Sequence, residues 1–302
     1  MAKGMAPGKV ILLGEHAVVY GKPGISASVN LFSEARARKS RRFTVYASDY
    51  GIESDLFSCG GKFEPLKACL RRVVEDYGIG GFYLEVSSQV PKGLGSSSST
   101  ALASLKAVGA LYDLSLSAQE LVRYVNIADE VAHGRASGID ASTVVYGGFL
   151  YFREGKVERI NTCSLKALVI DSGVESSTRE AVKRVYEFGS RYRKKFSAML
   201  EKLEECVDEA REMLERGDME GLGEKMIEYY SLLRETGISV RQLDEIVRIG
   251  RKCGIYAKPV GAWMGGCALG IGEFQNLLHA EREYTRRGYR SQIVVLGIHL
   301  KV

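Results

Sequence analysis

The feature that most constrains the fold is an apolar segment near the beginning of the chain that runs directly into ionisable side chains. Residues 10–13 read Val-Ile-Leu-Leu, and Gly14, Glu15 and His16 follow at once. A short continuous apolar run is typical of a strand with both faces buried. Such a strand either leaves the core through an ordinary polar turn or delivers chemically active groups to its tip. Two later segments of the chain favour the second interpretation.

The composition is that of an ordinary globular protein. The chain has 302 residues, of which 45% are hydrophobic and 26% charged, so we expect two domains or one large one. The first residues lack the basic and then apolar pattern of a signal peptide, which predicts a cytoplasmic protein. Because no two cysteines have C-x-x-C spacing, we expect reduced, mostly buried thiols and neither a disulfide framework nor a zinc site. The cysteines are Cys59, Cys69, Cys163, Cys206, Cys253 and Cys267.

The charge pattern excludes nucleic acid and membranes as expected partners. The net charge of +5 comes from basic residues interleaved with acids rather than massed together, as on solvated helix faces. The apolar runs are too short to cross a bilayer. One local excess of basic residues alternates with small residues, and we expect it at exposed positions of adjoining strands. It comprises Arg36, Arg38, Lys39, Arg41 and Arg42.

The first half of the chain is predicted to be rich in strands and to contain helices after residue 60. Apolar runs predict strands at residues 10–13, 25–29, 43–46 and 82–86, with a helix over 66–77. After a Gly/Ser segment, apolar residues recur at helical spacing, so this loop opens a helix. They are Ala101, Leu102, Leu105, Val108 and Leu111. Ser117 and Glu120 have the spacing of a capping box and predict the start of the next helix.

The second half alternates helices with strands. Patterns predict strands at 165–171, 267–271 and 292–298 and a long helix over 197–216. A second capping box is predicted at 239–242. Strands and helices in this order are typical of an α+β layer. We expect one domain over residues 1–160 and another over 161–302.

The loop Gly93-Leu94-Gly95-Ser96-Ser97-Ser98-Ser99-Thr100 is suited to phosphate. Glycine lets the backbone approach a ligand closely, and the unpaired amides and dipole at a helix N-terminus favour an anion. The alternative is a flexible serine-rich turn. The spacing G-x-x-x-x-G-K-[ST] is absent, so a nucleotide site here differs in design from a P-loop. The catalytic-loop and D-F-G signatures of protein kinases are absent as well.

Phosphoryl transfer from ATP also needs Mg²⁺ and a group that orients the acceptor hydroxyl. Mg²⁺ prefers oxygen ligands, and Ser97 and Asp129 are the pair selected here. Asp129 lies one helical turn before His133, where the Gly-Arg-Ala-Ser-Gly-Ile-Asp segment begins. Its neighbour Glu130 is predicted to be an ordinary surface acid.

Residues 7–21, 93–100 and 133–140 together resemble the ordered motif set of the GHMP small-molecule kinases. Within that superfamily the first motif most resembles the mevalonate kinases, and similar later segments begin at Asp171 and Lys258. The resemblance implies a two-domain α+β GHMP kinase fold. Its N-terminal domain would resemble domain 2 of ribosomal protein S5, its C-terminal domain would be ferredoxin-like, and the active site would lie in the cleft between them. It also implies ATP- and Mg-dependent phosphorylation of an alcohol, mevalonate at its primary hydroxyl.

The resemblance also implies roles for single residues. Ser97 and Asp129 would bind the metal, and Asp140 would face the acceptor hydroxyl with Lys9 beside it. Lys9 would favour the ionised carboxylate and stabilise charge developing on the alcohol oxygen. Glu15 and His16 would face the substrate, whereas His133 is interpreted as a structural residue that closes a helix. The residues expected to cradle ATP are Pro91, Gly93, Leu94, Gly95, Ser96, Ser97 and Ser98.

The sequence departs from the family pattern at three places. Asp129 stands where glutamate is usual, and the loop before Gly93 is about two residues short, which permits a register with Ser98 or Ser99 at the metal. The third motif, normally K-x-T-G-A-G-x-G-G, contains Val260, Trp263 and Met264. The last two side chains either narrow the cleft, excluding bulky or phosphorylated acceptors, or turn into the core.

Other functions remain open at this stage. A related kinase could act on phosphomevalonate, homoserine, pantoate or a sugar, and an inactive relative could bind ATP or a metabolite as a sensor. The resemblance is also compatible with a homodimer.

Overall fold

The computed structural model describes residues 1–134 and 136–299, apart from the side chain of His133. Its strands are β1 (Ala2–Leu13), β2 (Gly24–Lys39), β3 (Thr44–Ala47), β4 (Ile52–Asp55), β5 (Phe82–Ser88), β6 (Phe149–Arg153), β7 (Lys156–Ile160), β8 (Leu165–Asp171), β9 (Tyr256–Pro259), β10 (Cys267–Ile271) and β11 (Arg290–Leu296). Its α-helices are α1 (Glu64–Tyr77), α2 (Ser96–Tyr112), α3 (Ala118–His133), α4 (Ile139–Tyr146), α5 (Thr178–Arg191), α6 (Arg193–Arg216), α7 (Met219–Arg234), α8 (Arg241–Lys252) and α9 (Phe274–Arg286). A short 3₁₀ helix covers Ala17–Tyr20.

The strands form one mixed sheet that runs through both halves of the chain. Its order is β4-β3-β5-β2-β11-β8-β10-β9, while β1 and β6 pair with β2, and β7 pairs with β6. β3 and β5 run parallel to each other, and the other pairs in the described part of the chain are antiparallel. The predicted combination of strands and helices in an α+β fold is confirmed.

Strand β1 carries the first motif through the middle of the molecule. It pairs with β2 along its length, with Lys9 opposite Ser28, and residues from Ala6 onward are mostly buried. Helix α2 packs along β1 and α3 packs beside α2. The apolar run of the sequence therefore does form a strand buried on both faces, and its ionisable end lies inside the protein.

Three hydrophobic clusters hold the described chain together. One lies among the helices and strands of the first half, and another lies between α8, α9 and the strands beside them. The third joins the halves, because it combines Val10 and Leu12 of β1 with apolar residues of α6, α7 and the 260–264 loop. The C-terminal end of β1 thus packs against side chains from the second half.

The end of the described chain returns to the first half. Leu296 of β11 pairs with Val29 of β2, and Gly297 N–H donates to Ser28 O. Gly148 N–H in turn donates to Ile298 O. The domain boundary between residues 160 and 161 stays a prediction, and residues 296–298 contact the other side of it.

The two predicted capping boxes have different outcomes. Ser117 accepts from Glu120 N–H, and the Glu120 side chain accepts from Ser117 N–H, so the first is confirmed. The second is wrong: α8 begins after Val240 without a side-chain cap, because the Ser239 hydroxyl donates to Asp244 instead. A carboxylate two residues beyond the box thus takes the hydroxyl that the pattern assigned to the backbone.

Exposure follows the sequence analysis elsewhere. Arg36, Arg38 and Lys39 occupy exposed positions of β2. Four cysteines are buried and two, Cys59 and Cys163, are exposed, all with free thiols. None of the helices in residues 1–134 and 136–299 combines the length and apolarity needed to cross a bilayer.

We predict that Ser117→Ala lowers the free energy of unfolding by about 1 kcal/mol, because it removes the cap of α3. Urea denaturation followed by circular dichroism measures this loss. Ser115→Ala is the matched control, since Ser115 is exposed in the same loop and should change stability by less than about 0.5 kcal/mol. Equal losses in the two variants would contradict a role for the capping box.

Candidate active site

The Gly/Ser loop is built around the side chain of Lys9. Lys9 N–H donates to Leu94 O at 2.8 Å, which ties the loop to β1. Gly95 has φ +79°, and a Cβ there would lie 2.6 Å from Cγ of Lys9. Glycine is therefore required both for the backbone conformation and for the passage of the lysine stem.

Helix α2 begins where this loop ends. Its N-cap residue is Gly95, which supplies no side-chain cap, and the first helical hydrogen bond runs from Ser99 N–H to Gly95 O. The amides of Ser96, Ser97 and Ser98 consequently have no partner within the helix. Together with the helix dipole they form a site that favours phosphate.

The serines of the loop have separate tasks. The Ser98 hydroxyl donates to Asp129 Oδ1 at 2.7 Å, and both residues are buried. The Ser99 hydroxyl donates to Ala6 O and fastens α2 to β1. Ser97 is half-buried. The structure thus places Ser98, the alternative register, beside the acid, and the assignment of Ser97 to the metal stays a prediction.

Lys9 also joins the loop to the third segment of the motif set. Its Nζ lies 2.8 Å from Oδ1 of Asp140, which is in the first turn of α4. Burial and the nearby charge of Asp140 raise the pKa of Asp129 to about 7, against the opposing effects of Ser98 and Lys9. Lys9, Asp129 and Asp140 therefore form one electrostatic unit at the N-termini of α2 and α4. Glu130 is exposed.

Glu15 lies in a closed interface between the halves of the chain. Its Oε1 is 2.5 Å from Nζ of Lys258 on β9, and both side chains are buried. Tyr229 of α7 donates its hydroxyl to Glu15 O at 2.9 Å. Burial raises the pKa of Glu15 and Lys258 opposes that shift, while burial lowers the pKa of Lys258.

The neutral ring of His16 packs against the 260–264 loop of the second half. Its Nε2 lies 3.3 Å from Ala262 O, and a carbonyl only accepts, so Nε2 carries the hydrogen and Nδ1 is an acceptor. Burial lowers the pKa of His16 to about 4, with a further contribution from the charge of Lys258. The backbone of His16 is in the left-handed region, with φ +63°.

Trp263 does not line an open cleft, so that hypothesis is wrong and the alternative of a core position holds. Its side chain is fully buried and packs against Tyr229 and Tyr230, with ring centroids 6.4 and 5.7 Å away. Met264 is buried as well. The backbone of Trp263 has φ +67°, and this conformation turns the ring into the protein.

Two cavities in the described structure lie outside this constellation. One of about 620 Å³ lies between residues 88–92, which lead into the Gly/Ser loop, and residues 171–176 of the other half. A larger one of about 1020 Å³ lies between α7 and α8. Lys9, Asp129 and Asp140 line neither, so cavity size does not locate the chemistry in this protein.

The structure thus brings Lys9, Ser98, Asp129 and Asp140 together and places Glu15 and His16 at an adjoining turn. Of the other loop residues, Leu94 is buried, Pro91 and Ser96 are half-buried, and Gly93 is exposed. The side chain of His133 and the whole of Arg135 lie outside the described residues. Sequence reasoning missed Lys258 and Tyr229, although Lys258 heads a segment that resembles the third motif.

Comparison with known proteins points in one direction. The GHMP kinases N terminal domain matches residues 64–148. The mevalonate kinase of Pyrococcus abyssi is 32% identical over 291 residues, which cover 88% of this chain and 87% of that protein. The mevalonate kinase of Pyrococcus horikoshii is 33% identical over 292 residues with the same coverage.

A solved structure agrees with these relatives. The crystal structure of the Methanococcus jannaschii mevalonate kinase matches with a TM-score of 0.85 and 26% identity, covering 97% of each chain. The likeness therefore extends over the whole described fold and not only over its motifs.

We predict that acid destabilises the protein partly through His16. Its pKa is about 4 when folded and 6.5 ordinarily, so the unfolded chain binds more protons between these values. The contribution of neutral His16 to the free energy of unfolding is fully present above its ordinary pKa of 6.5. It is lost as the pH falls toward the pKa of about 4 in the folded protein. Between pH 7 and pH 5 the loss should be about 2 kcal/mol.

Urea denaturation at both pH values measures this loss by comparing variants. His16→Gln should lose less stability on acidification than the wild type. His279→Gln, which changes an exposed histidine, should lose as much as the wild type. The same acid loss in all three proteins would show that His16 is not the group responsible.

Proposed function

The chain belongs to the mevalonate kinase family of GHMP kinases, and we propose on this premise that it transfers the γ-phosphoryl group of ATP to the primary hydroxyl of mevalonate. One observation carries the proposal: Lys9 pairs with Asp140 while its side chain passes over the loop that begins α2. A phosphate-binding helix end and a paired acid are thereby held by a single lysine. The product would be 5-phosphomevalonate, an intermediate of isoprenoid biosynthesis.

The nucleotide phosphates would bind at the N-terminus of α2. The amides of residues 96–98 point out of the helix end, and Gly93 and Gly95 let phosphate oxygens approach the backbone. The positive charge of Lys9 lies beside the same loop. Binding there fixes the γ-phosphorus, since phosphoryl transfer depends chiefly on positioning and on stabilising charge.

The acceptor hydroxyl would donate its hydrogen bond to Asp140. Asp140 is about one quarter exposed, so an acceptor can reach it, whereas Lys9 is almost fully buried behind it. The Lys9 ammonium lies 2.8 Å from Asp140 and would offset the negative charge that grows on the alcohol oxygen as its proton leaves. The proton passes to Asp140 and then to solvent.

The residues present fit a Mg²⁺ ion held with the nucleotide. Asp129 Oδ2 is buried without a hydrogen-bond partner in the described structure, and the Ser98 hydroxyl donates to the other carboxylate oxygen, Oδ1. No group of three or more His, Cys, Asp or Glu side chains among the described residues could hold a metal alone. Mg²⁺ suits such a site, because it commonly takes one or two protein oxygens and completes its shell with phosphates and water. When bound, it neutralises phosphate charge.

His16 would complete the acceptor side, whereas the side chain of Glu15 is buried in its pair with Lys258. His16 presents Nδ1 as an acceptor, because Nε2 donates to Ala262 O. A neutral imidazole can accept a hydrogen bond from an alcohol and places no positive charge in the pocket. We expect the enzyme to work in the cytoplasm without nucleic acid or membrane partners, and a homodimer remains a prediction.

We predict that Asp140→Asn and Lys9→Met each lower kcat by about a hundredfold or more, because both groups act on the acceptor hydroxyl. ATP affinity should stay within about threefold of the wild type in Asp140→Asn, and it should fall in Lys9→Met, because the charge of Lys9 also lies beside the phosphate loop. A coupled ADP-release assay and nucleotide titration measure the two effects.

The controls are matched in chemistry and in location. Asp113→Asn changes an exposed acid, and Lys3→Met changes an exposed lysine of β1. Both controls should keep full turnover. Near wild-type kcat in Asp140→Asn at saturating substrates would refute this acceptor site, and turnover of another alcohol in preference to mevalonate would refute the substrate.

We also predict that Ser98→Ala raises the Mg²⁺ concentration needed for half-maximal rate by about tenfold. This increase should exceed that in Ser97→Ala, because the Ser98 hydroxyl donates a hydrogen bond to Asp129. Asp129→Ala should raise it at least as much. Rates measured across a Mg²⁺ titration test the order, with Glu130→Ala as the exposed control. A larger effect at Ser97 would return the metal to the register first predicted from the sequence.

A further inference from the structure

Lys258 is a fully buried cation whose surroundings come from both halves of the chain. Besides Glu15, its ammonium contacts Pro259 O at 2.9 Å. The ring centroids of Trp263 and Tyr229 lie 5.2 and 6.0 Å from the ammonium nitrogen. Aromatic faces attract a cation, so Lys258 is fixed on several sides.

This cluster is energetically costly for a feature that serves stability alone. A buried ion pair is often no more stabilising than packed apolar residues, because both charges lose their water. Within the described residues, Glu15 Oε2 and Trp263 Nε1 are buried without hydrogen-bond partners, although the indole lies near enough to lower the pKa of Glu15. His16 and Trp263 both adopt left-handed backbone conformations that glycine would relieve.

Strain and unsatisfied groups that cluster in this way are typical of functional sites. Besides backbone hydrogen bonds within the first half, three contacts hold the turn formed by residues 14–16, and their partners come from the second half of the chain. Lys258 holds the Glu15 carboxylate, Tyr229 holds the Glu15 carbonyl, and Ala262 O holds the His16 ring. The position of the turn therefore depends on the second half.

The held turn borders the acceptor side of the site. Val18, two residues beyond His16, and Ile139 of α4 both reach the face of Gly24, where a Cβ would lie 2.9 and 3.2 Å from their side chains. Asp140 follows Ile139 directly. A shift of the turn would therefore change the packing of Ile139, which directly precedes the carboxylate assigned to the acceptor hydroxyl.

We propose that Lys258 and Tyr229 are positioning residues for the acceptor: they hold the 14–16 turn so that His16 keeps one orientation. The proposal rests on the proposed function, since it concerns the acceptor side of the same site. Both side chains are fully buried, so neither would touch the substrate, and the nucleotide would bind at a separate place, the loop beside Lys9. Loss of either residue should therefore weaken acceptor binding and spare ATP binding.

The test uses Tyr229→Phe, which removes one hydroxyl and keeps the buried ring. Tyr284→Phe is the matched control, because Tyr284 is also fully buried and donates its hydroxyl to a backbone oxygen, Ile246 O at 2.7 Å, in the C-terminal half. Lys258→Met is the stronger variant and Lys258→Arg is the conservative one. For each, KM for mevalonate, KM for ATP, kcat and Tm are measured.

We expect Tyr229→Phe to raise KM for mevalonate by about fivefold and Lys258→Met by more, since small displacements of positioning groups have large effects. KM for ATP should change by less than about twofold, and Lys258→Arg should recover part of the loss. Tyr284→Phe should lower Tm like Tyr229→Phe and leave both KM values unchanged. An unchanged KM for mevalonate in Tyr229→Phe with an equal loss of Tm would overturn the proposal.

A second readout separates this proposal from the proposed function. NMR titration of the histidine rings, of which the chain has four, follows His16 without any substrate. Its pKa should stay low in the wild type and Tyr284→Phe and rise toward the ordinary value in Tyr229→Phe, which leaves the charge of Lys258 in place. An unchanged His16 titration in Tyr229→Phe would contradict the positioning role, whereas a wild type without mevalonate turnover would contradict only the proposed function.

Discussion

The rest of the site depends on the position of one lysine between two carboxylates and a helix end. Lys9 is fixed by β1, and its stem occupies the space left by Gly95. Its ammonium pairs with Asp140, and its charge opposes the rise in the pKa of Asp129. Without this charge, two acids and the phosphates of a nucleotide would repel one another at close range. By placing Lys9 beside the two acids and the helix end, β1 and its neighbours reduce the electrostatic repulsion within a phosphoryl-transfer site.

The same strand organises the acceptor side a few residues later. Glu15 and His16 follow β1 and are held by groups from the second half, while Lys9 within β1 faces the loop and α4. One strand thus connects the phosphate side to the acceptor side. Since the strand is buried along most of its length, the two sides keep a fixed spacing, as in-line transfer requires.

Much of the fold could be predicted from the sequence because its local patterns agree with its tertiary structure. The run at 10–13 and the capping box at Ser117 are examples, since burial and helix capping follow from neighbouring residues. The serine beside Asp129 could not be settled in this way, because a shift of one residue rotates a helical side chain by about 100°. The partner of Lys258 lies 243 residues away in sequence, and no local pattern reports such a contact. The left-handed conformation of Trp263 likewise depends on the packing of its ring against α7.

The central claim is that this constellation transfers phosphate to the primary hydroxyl of mevalonate. Phosphorus NMR of the wild-type protein incubated with ATP, Mg²⁺ and mevalonate tests it most directly, because the product is identified by its bonding and not only by the loss of ATP. We expect a new phosphomonoester signal that is coupled to the methylene protons of carbon 5 and grows in step with ADP. ADP with inorganic phosphate alone, or no change in any phosphorus signal, would contradict it.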